Sequence, residues 1–320
     1  MIGPFVGVEW VERQRDRVVF ADCRWYLDGR SGRVAYEGGH VPGAVFVDLD
    51  TAMTRDAEAG EGRHPLPEPA DFAAAMGALG IGEDETVVAY DDAGGVIAAR
   101  LVGMLRVTGH EAAVLDGGLG AWRGELASGP GARRTEFGDT DREPADFTAR
   151  DWPAERLATI EEVAAASAAT AHGSDSAIAP AHPGAPAPQH RSADAADRAA
   201  VTSASAPPVL IDARQRERFE GEPDAVDPRA GHIPGALSVP CRENVDAEGR
   251  LLPPEELRAR LDFGDGTEVI SYCGSGVTAC HNLLAMEQAG LAPGRLFPGS
   301  WSQWSRDPAR PVQTGASGRS

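Results

Sequence analysis

Short runs of apolar, mostly β-branched residues alternate along the chain with longer segments whose apolar residues recur at helical spacing. Four short runs predict buried strands: Val18–Ala21, Val87–Tyr90, Val209–Ile211 and Val269–Tyr272. The longer segments predict helices such as Asp71–Leu79 and Ala279–Ala289, the second ending at Gly290. This alternation predicts an α/β fold with a mainly parallel sheet and helices on both faces. Functional residues in such a fold lie in loops at the carboxyl ends of strands.

The chain repeats this pattern once. Gly39-His40-Val41-Pro42-Gly43-Ala44 recurs in the second half as Gly231-His232-Ile233-Pro234-Gly235-Ala236. An Asp-x-Arg precedes each copy, at Asp22 and Asp212, and Tyr90 and Tyr272 end matching strands downstream. Because the matches keep their order, we expect a duplicated domain. The predicted boundaries are a first domain at residues 1–150, a linker at 151–208, a second domain at 209–312 and a tail at 313–320.

The predicted linker is rich in Ala and Pro and contains few large apolar side chains. Such a composition buries too little surface to offset the entropy of ordering the chain. We expect one short helix at its start, Thr159–Thr170, and disorder from about residue 171. The tail from Gln313 to Ser320 is expected to fray.

The net charge and the cysteine content limit the classes of function that the protein can have. Lys plus Arg number 30 against 49 Asp plus Glu, a formal net charge of −19 in 320 residues. This excludes general attraction to nucleic acid or anionic membranes, so a site for an anionic substrate needs local arginines. The four cysteines contain no Cys-x-x-Cys pair, and no metal site is expected. With no signal peptide or membrane-spanning run, we expect a cytoplasmic protein with reduced thiols.

Cys273 stands out by its position. It ends a predicted strand and precedes a loop with Gly274 and Gly276, after which a helix begins. Converging loop N–H groups and the positive end of the helix favour a thiolate there. The alternative is a buried structural cysteine before a tight turn. Two glycines directly after the thiol favour the functional interpretation.

These features resemble the two-domain sulfurtransferases of the rhodanese superfamily, which implies tandem rhodanese-like domains. By that resemblance Cys273 takes sulfur from a small anionic donor and becomes a persulfide, without a cofactor. The acceptor is then a thiol, cyanide or a redox protein. Asp91 replaces the thiol in the first half, so that domain is expected to be catalytically silent. The loop residues implied to cradle the persulfide are Gly274, Ser275, Gly276, Val277 and Thr278.

The Cys-Gly-Ser-Gly loop is most similar to the mercaptopyruvate type of this family. That type pairs the loop serine, here Ser275, with a histidine and an aspartate of the first domain. The matching residues are His64 and Asp50, with Asp48 as the alternative aspartate; His64 as a solvated loop histidine is also open. The segment from Asp50 to His64 is longer than its counterpart in the second half, and a surface loop of this kind can cross the domain boundary.

The resemblance also assigns donor binding to Arg218, with Arg229 as the candidate for a second arginine. The positions after Cys273 are Gly274 and Ser275, where thiosulfate-type relatives carry basic residues. We therefore expect 3-mercaptopyruvate as donor, with thiosulfate as the alternative. A cysteine phosphatase would need an arginine where Ala279 closes the loop. A non-enzymatic regulatory module is the weaker rival, since Cys273 is retained.

Overall fold

The computed structural model describes residues 2–175, 206–223 and 225–316. They form two α/β domains, each built on its own sheet. The predicted disorder of the linker from about residue 171 falls mostly on residues 176–205, which lie outside the described residues.

The first domain contains the larger sheet. Its strands are β1 (Phe5–Val6), β2 (Val18–Asp22), β3 (Val45–Val47), β4 (Thr86–Tyr90), β5 (Ala112–Leu115), β6 (Arg133–Arg134) and β7 (Gly138–Thr140). Its helices are α1 (Val8–Gln14), α2 (Gly32–Gly38), α3 (Leu49–Ala52), α4 (Pro69–Ala78), α5 (Ala98–Val107) and α6 (Gly118–Ala121), with a 3₁₀ turn at Arg15–Arg17.

The second domain follows a 3₁₀ turn at Ala154–Arg156 and the helix α7 (Ile160–Asp175). Its strands are β8 (Val209–Asp212), β9 (Leu237–Ser238), β10 (Val269–Tyr272) and β11 (Arg295–Leu296). Its helices are α8 (Arg216–Glu220), α9 (Pro254–Leu261), α10 (Ala279–Gln288) and α11 (Ser300–Trp304), with a 3₁₀ turn at Cys241–Asn244.

Each sheet contains the same arrangement of four parallel strands. The strand order is β5-β4-β2-β3 in the first domain and β11-β10-β8-β9 in the second, with all these neighbours parallel. The first domain adds β1 in parallel at one edge and the antiparallel strands β7 and β6 at the other. The predicted duplication and the predicted mainly parallel sheet are confirmed.

The Asp-x-Arg pairs repeat in atomic detail. Arg24 binds Asp22 and the carbonyl of Gly39, while Arg214 binds Asp212 and the carbonyl of Gly231. In each pair the guanidinium Nη2 lies 2.6 Å from the carboxylate, and both groups are buried. These ion pairs fix the segment before each Gly-His-x-Pro-Gly turn, so both arginines are structural.

Successive strand residues point to opposite faces, and both faces are covered. In β4, Val87 and Ala89 join one hydrophobic cluster, while Val88 and Tyr90 join another. The first of these clusters continues into the second domain and includes Cys273. Helices α5 and α10, which occupy equivalent places in the repeat, pack against each other there. The two domains therefore share one continuous core.

The helices predicted from spacing are present. The predicted segment Asp71–Leu79 is α4, which begins two residues earlier because Pro69 suits the first helical turn. The predicted segment Ala279–Ala289 is α10, and Gly290 follows it in the left-handed conformation. Among the described residues, no helix has the length and apolar character needed to cross a bilayer.

Two segments are more closely tied to the second domain than their composition predicts. Helix α7, assigned above to the linker, places Val163 and Ala166 in the core of the second domain beside Leu210. In the predicted tail, the backbone of Gln313 pairs with His232 in both directions. The expectation that the tail frays from Gln313 is therefore wrong at its first residue, because the pairing satisfies backbone groups that a frayed end would leave to water.

Asp91 follows β4, where Cys273 follows β10. Its buried carboxylate accepts four backbone hydrogen bonds of 2.7–2.9 Å, from the N–H groups of Ala93, Gly95, Ile97 and Ala98. The backbone N–H groups of the loop after β4 thus converge on an anion.

We expect Asp91→Ala to lower the free energy of unfolding by about 3 kcal/mol or more, because four buried N–H groups lose their acceptor. Asp92→Ala is the matched control; Asp92 is exposed, and its loss should cost within about 1 kcal/mol. Urea unfolding followed by circular dichroism measures both. Equal stability of the two variants would contradict a structural role for the Asp91 carboxylate.

Candidate active site

Cys273 lies at the carboxyl end of β10, directly before the loop that leads into α10. It is 2% exposed and lines a cavity of about 590 Å³. The first domain contributes Trp25, Tyr26 and Ile97 to the wall, and the second contributes Ser275 and Thr278 beside the thiol. The site therefore exists only where the two domains meet.

The catalytic loop, residues 273–278, turns tightly and leaves backbone N–H groups without acceptors in the described part of the chain. Gly276 has φ +79°, and a Cβ there would lie 2.5 Å from the Pro298 carbonyl oxygen, so glycine is required. None of the described residues offers an oxygen acceptor to the N–H groups of Ser275 and Val277 or to that of Gly276. In the equivalent loop such groups hold the Asp91 carboxylate. The catalytic loop can therefore receive an anionic sulfur.

Ser300 supports the loop from α11. Its hydroxyl accepts the N–H of Cys273 at 3.1 Å and donates to the Phe297 carbonyl at 2.9 Å. Ser300 has φ +51°, and no other non-glycine residue in the described ranges has a positive φ. Backbone strain of this kind persists where the surroundings impose it, often beside functional sites. Sequence reasoning did not single out Ser300.

The other three cysteines are poor nucleophiles. Burial raises the pKa of Cys241 to about 12 and that of Cys280 to about 11. Burial, reinforced by the charges of Asp22 and Asp91, raises the pKa of Cys23 well above its usual value. All four cysteines are free thiols in the structure, and Cys273 is the one that begins the catalytic loop.

A long loop of the first domain crosses to the catalytic loop. This crossing loop, residues 53–68, lies between α3 and α4. The N–H of Arg63 donates to the Ser302 hydroxyl at 3.0 Å, and the Arg306 guanidinium donates to the Glu61 carbonyl at 2.7 Å. The predicted reach across the domain boundary is confirmed.

The crossing loop brings His64 to the catalytic loop. His64 Nδ1 lies 2.7 Å from Ser275 Oγ, and Nε2 lies 3.6 Å from the Asp50 carboxylate. His64 is buried rather than solvated. Asp48 instead caps α3, where its carboxylate accepts the N–H of Asp50. Among the alternatives left open by the sequence, the structure therefore places Asp50 beside His64.

His64 is neutral at ordinary pH. Burial, together with the positive charges of Arg100 and Arg63, lowers the pKa of His64 to about 4. With Asp50 beside Nε2, the favoured neutral form carries its proton on Nε2 and leaves Nδ1 to accept from the Ser275 hydroxyl. Ser275 and His64 thus form a hydrogen-bonded pair along which a proton can move, and the nearby Asp50 carboxylate favours the tautomer that this pair needs.

Two arginines flank the catalytic loop at Gly274. A Cβ on Gly274 would lie 3.1 Å from the Arg63 guanidinium and 3.6 Å from that of Arg218. Both arginines form ion pairs with Asp227, whose side chain is almost fully buried. Arg63 comes from the crossing loop and Arg218 from α8, so both domains supply positive charge beside Cys273. Sequence reasoning found Arg218 but missed Arg63, although Arg63 directly precedes His64.

Arg229 does not lie at the site. Its guanidinium donates to the carbonyl of Arg310 at 2.8 Å, and its own carbonyl accepts from the Trp301 indole. It does not line the cavity that contains Cys273. The assignment of Arg229 to donor binding is therefore wrong, because its side chain ties the C-terminal segment to the second domain.

Arg100 lies behind the catalytic loop. This residue of α5 is 0% exposed, and its guanidinium donates to the carbonyls of Gly276 at 2.9 Å and of Met53 and His64 at 3.2 Å. Burial lowers the pKa of Arg100, while nearby Cys280 and Cys273 oppose that shift. The only signal for Arg100 in the sequence is its place in a mainly apolar segment that also contains Arg106, and this pattern does not link it to Cys273.

The paired sheets and the thiol loop define a tandem α/β protein with one cysteine site at the domain boundary. The rhodanese-like domain family matches residues 8–125 and 195–307. The chain therefore belongs to the rhodanese family, and the resemblance inferred from the sequence is confirmed.

Individual relatives cover most of the chain. A probable 3-mercaptopyruvate sulfurtransferase of Pseudomonas aeruginosa is 38% identical over 92% of this chain and 91% of its own. A putative thiosulfate sulfurtransferase of Mycobacterium tuberculosis is 36% identical over 94% of this chain and 92% of its own. The structure of 3-mercaptopyruvate sulfurtransferase from Leishmania major aligns with a TM-score of 0.72 at 26% identity, covering 95% of this chain and 74% of that one.

We expect the His64 resonance to titrate near pH 4 in an NMR pH titration, instead of near the ordinary value of 6.5. Since the folded-state pKa lies below the unfolded one, the stabilisation linked to His64 is complete above about pH 6.5 and is lost as the pH falls toward 4. The resonance that is lost in His64→Gln is the one that belongs to His64. A midpoint near 6.5 would mean that His64 is solvated and does not contact Ser275.

Proposed function

We propose that this protein is a sulfurtransferase that moves sulfur from 3-mercaptopyruvate to a thiophilic acceptor through a persulfide on Cys273. The observation that carries the proposal is the contact of Ser275 with His64, 2.7 Å apart, in the loop that Cys273 begins. This contact supports the proposal because carbon–sulfur cleavage leaves an enolate that needs a proton, and a hydroxyl–imidazole pair can deliver one.

In the first step the Cys273 thiolate attacks the sulfur of mercaptopyruvate. A sulfur–sulfur bond forms, the carbon–sulfur bond breaks, and its electron pair leaves with the carbon fragment as the enolate of pyruvate. The guanidinium groups of Arg63 and Arg218, both close to Gly274, bind the donor carboxylate. The N–H groups of Gly274 through Thr278 stabilise the terminal sulfur, as the matching loop stabilises the Asp91 carboxylate.

The enolate must then gain a proton at carbon to become pyruvate. The transferred sulfur arrives with a proton, and a persulfide is more acidic than a thiol, so the proton balance closes without an outside acid. We assign its transfer to the Ser275 hydroxyl and to His64, with Asp50 orienting the imidazole. A neutral His64 suits this relay, because it can accept and release a proton in one turnover.

In the second step a thiophilic acceptor attacks the outer sulfur and regenerates the Cys273 thiolate. The acceptor is a thiol, cyanide or a redox protein that reaches the sulfur through the same cavity. The enzyme-bound persulfide carries the sulfur between the two steps, so we assign no dissociable cofactor. Four free thiols suit a reducing compartment, and we place the reaction in the cytoplasm.

Thiosulfate is the second candidate donor. The relative from Mycobacterium tuberculosis is named a putative thiosulfate sulfurtransferase, which favours this alternative. Against it, the loop positions after Cys273 carry Gly274 and Ser275, which add no cation for a divalent donor. Sulfite also leaves without needing a proton, so thiosulfate would make no use of the contact between Ser275 and His64.

Ser275→Ala should separate the two donors. We expect the variant to lose about a hundredfold or more in kcat/KM with 3-mercaptopyruvate, because the proton relay is broken, and to change little with thiosulfate. Steady-state assays of pyruvate and sulfite release measure the two reactions on one preparation. Equal losses with both donors, or a wild-type preference for thiosulfate, would contradict the mercaptopyruvate assignment.

Mass spectrometry tests the sulfur carrier itself. Donor without acceptor should add one sulfur atom to the wild-type chain and none to Cys273→Ser. Cys241→Ser and Cys280→Ser are matched controls that should keep the adduct, because burial holds both thiols protonated. An adduct that survives in Cys273→Ser would overturn the assignment.

A further inference from the structure

A second cavity lies between the domains, separate from the catalytic one. Its volume is about 400 Å³, within the range of about 300–1,000 Å³ typical of small-molecule sites. It shares no lining residue with the cavity that contains Cys273. Later turns of α5 and α10 line it, whereas the catalytic cavity lies at the beginning of both helices.

The wall of this interdomain cavity is mainly apolar. It is lined by side chains from both domains and from the segment that joins them, including Leu66, Met104, Trp152, Leu283, Leu284 and Leu296. An apolar concave surface of this size gains free energy when a hydrophobic group displaces its water. The cavity therefore favours a ligand with an apolar body.

The charged side chains in the wall are Arg106, Arg156 and Glu287. Arg106 and Glu287 form an ion pair with each other. The side chain of Arg156 makes no hydrogen bond or ion pair with any described residue, and its Nε is shielded from solvent without a partner. Arg156 is half-buried, so its Nη groups reach solvent, whereas its shielded Nε lacks the hydrogen bond that a buried polar atom normally makes.

Hydrogen bonds of the neighbouring residues fix the backbone position of Arg156. Arg156 ends the 3₁₀ turn Ala154–Arg156, and the next residue, Leu157, pairs with Leu296 of β11. The Arg295 guanidinium also donates to the Leu157 carbonyl at 2.6 Å. These contacts anchor the Arg156 backbone beside the cavity.

We propose that the interdomain cavity binds a small monocarboxylate with an apolar chain. The chain would lie against the leucines of α10, and the carboxylate would accept two parallel hydrogen bonds from Arg156. Such a ligand supplies both what the apolar wall favours and the partner that Arg156 lacks. The proposal is independent of the catalytic function, since it uses no residue of the catalytic cavity.

Octanoate and 1-octanol are matched probes, because they differ in the charged head and share the chain. Isothermal titration calorimetry on the full chain should show saturable octanoate binding at one site. Arg156→Gln should weaken octanoate binding about tenfold or more and leave 1-octanol unchanged. Arg13→Gln, which removes an exposed charge outside the cavity, should leave octanoate binding unchanged.

Arg218→Gln distinguishes this site from the catalytic cavity, where a carboxylate could also bind. It should leave octanoate affinity unchanged if the ligand lies at Arg156. Leu283→Trp, which fills the interdomain cavity, should abolish binding of both probes. The proposal is overturned if octanoate shows no saturable binding, if Arg156→Gln binds it as the wild type does, or if Arg218→Gln weakens it instead.

Discussion

The geometry of the active site depends on the hydrogen bonds of one buried side chain, the guanidinium of Arg100. A fully buried cation needs hydrogen-bond acceptors, and the Nη groups of Arg100 find them in the carbonyls of Met53, His64 and Gly276, while its Nε has no hydrogen-bond partner among the described residues. Two of these carbonyls belong to the crossing loop and the third to the catalytic loop. One side chain therefore fixes the distance between His64 and Ser275 and places a positive charge behind the sulfur of Cys273.

The duplicated fold explains how such a cation comes to lie there. In each domain an inner strand, β4 or β10, is followed by an equivalent loop and then by a helix, and these two helices pack against each other. In the first domain the Asp91 carboxylate occupies this loop and accepts four of its backbone N–H groups. The helix that follows is then available to carry Arg100 into the shared core. The first domain thus supplies a supporting arginine, and the second domain supplies the loop with Cys273.

Local patterns predicted most of the fold, because strands, helices and the repeat depend on neighbouring residues. The loop after Cys273 was predicted for the same reason, and His64 followed from family resemblance together with an unusually long segment. The residues that were missed act over long sequence separations: Arg100 binds Gly276 across the domain boundary, and Ser300 of α11 accepts a hydrogen bond from the N–H of Cys273. Arg229 was misassigned because spacing does not show that its side chain points toward Arg310.

Burial and the charges around His64 determine its protonation state and therefore its role in the site. Burial is the main cause that disfavours a charged imidazole, and beside Arg100 and Arg63 the imidazolium would be a third positive charge. His64 therefore stays neutral and does not serve as a cation that binds the donor. In the proposed mechanism the arginines beside Gly274 bind the donor carboxylate, and the imidazole keeps its Nδ1 lone pair for the Ser275 hydroxyl. A site that needed only to hold an anion would gain from a protonated histidine; one that must move a proton to carbon gains from a neutral one.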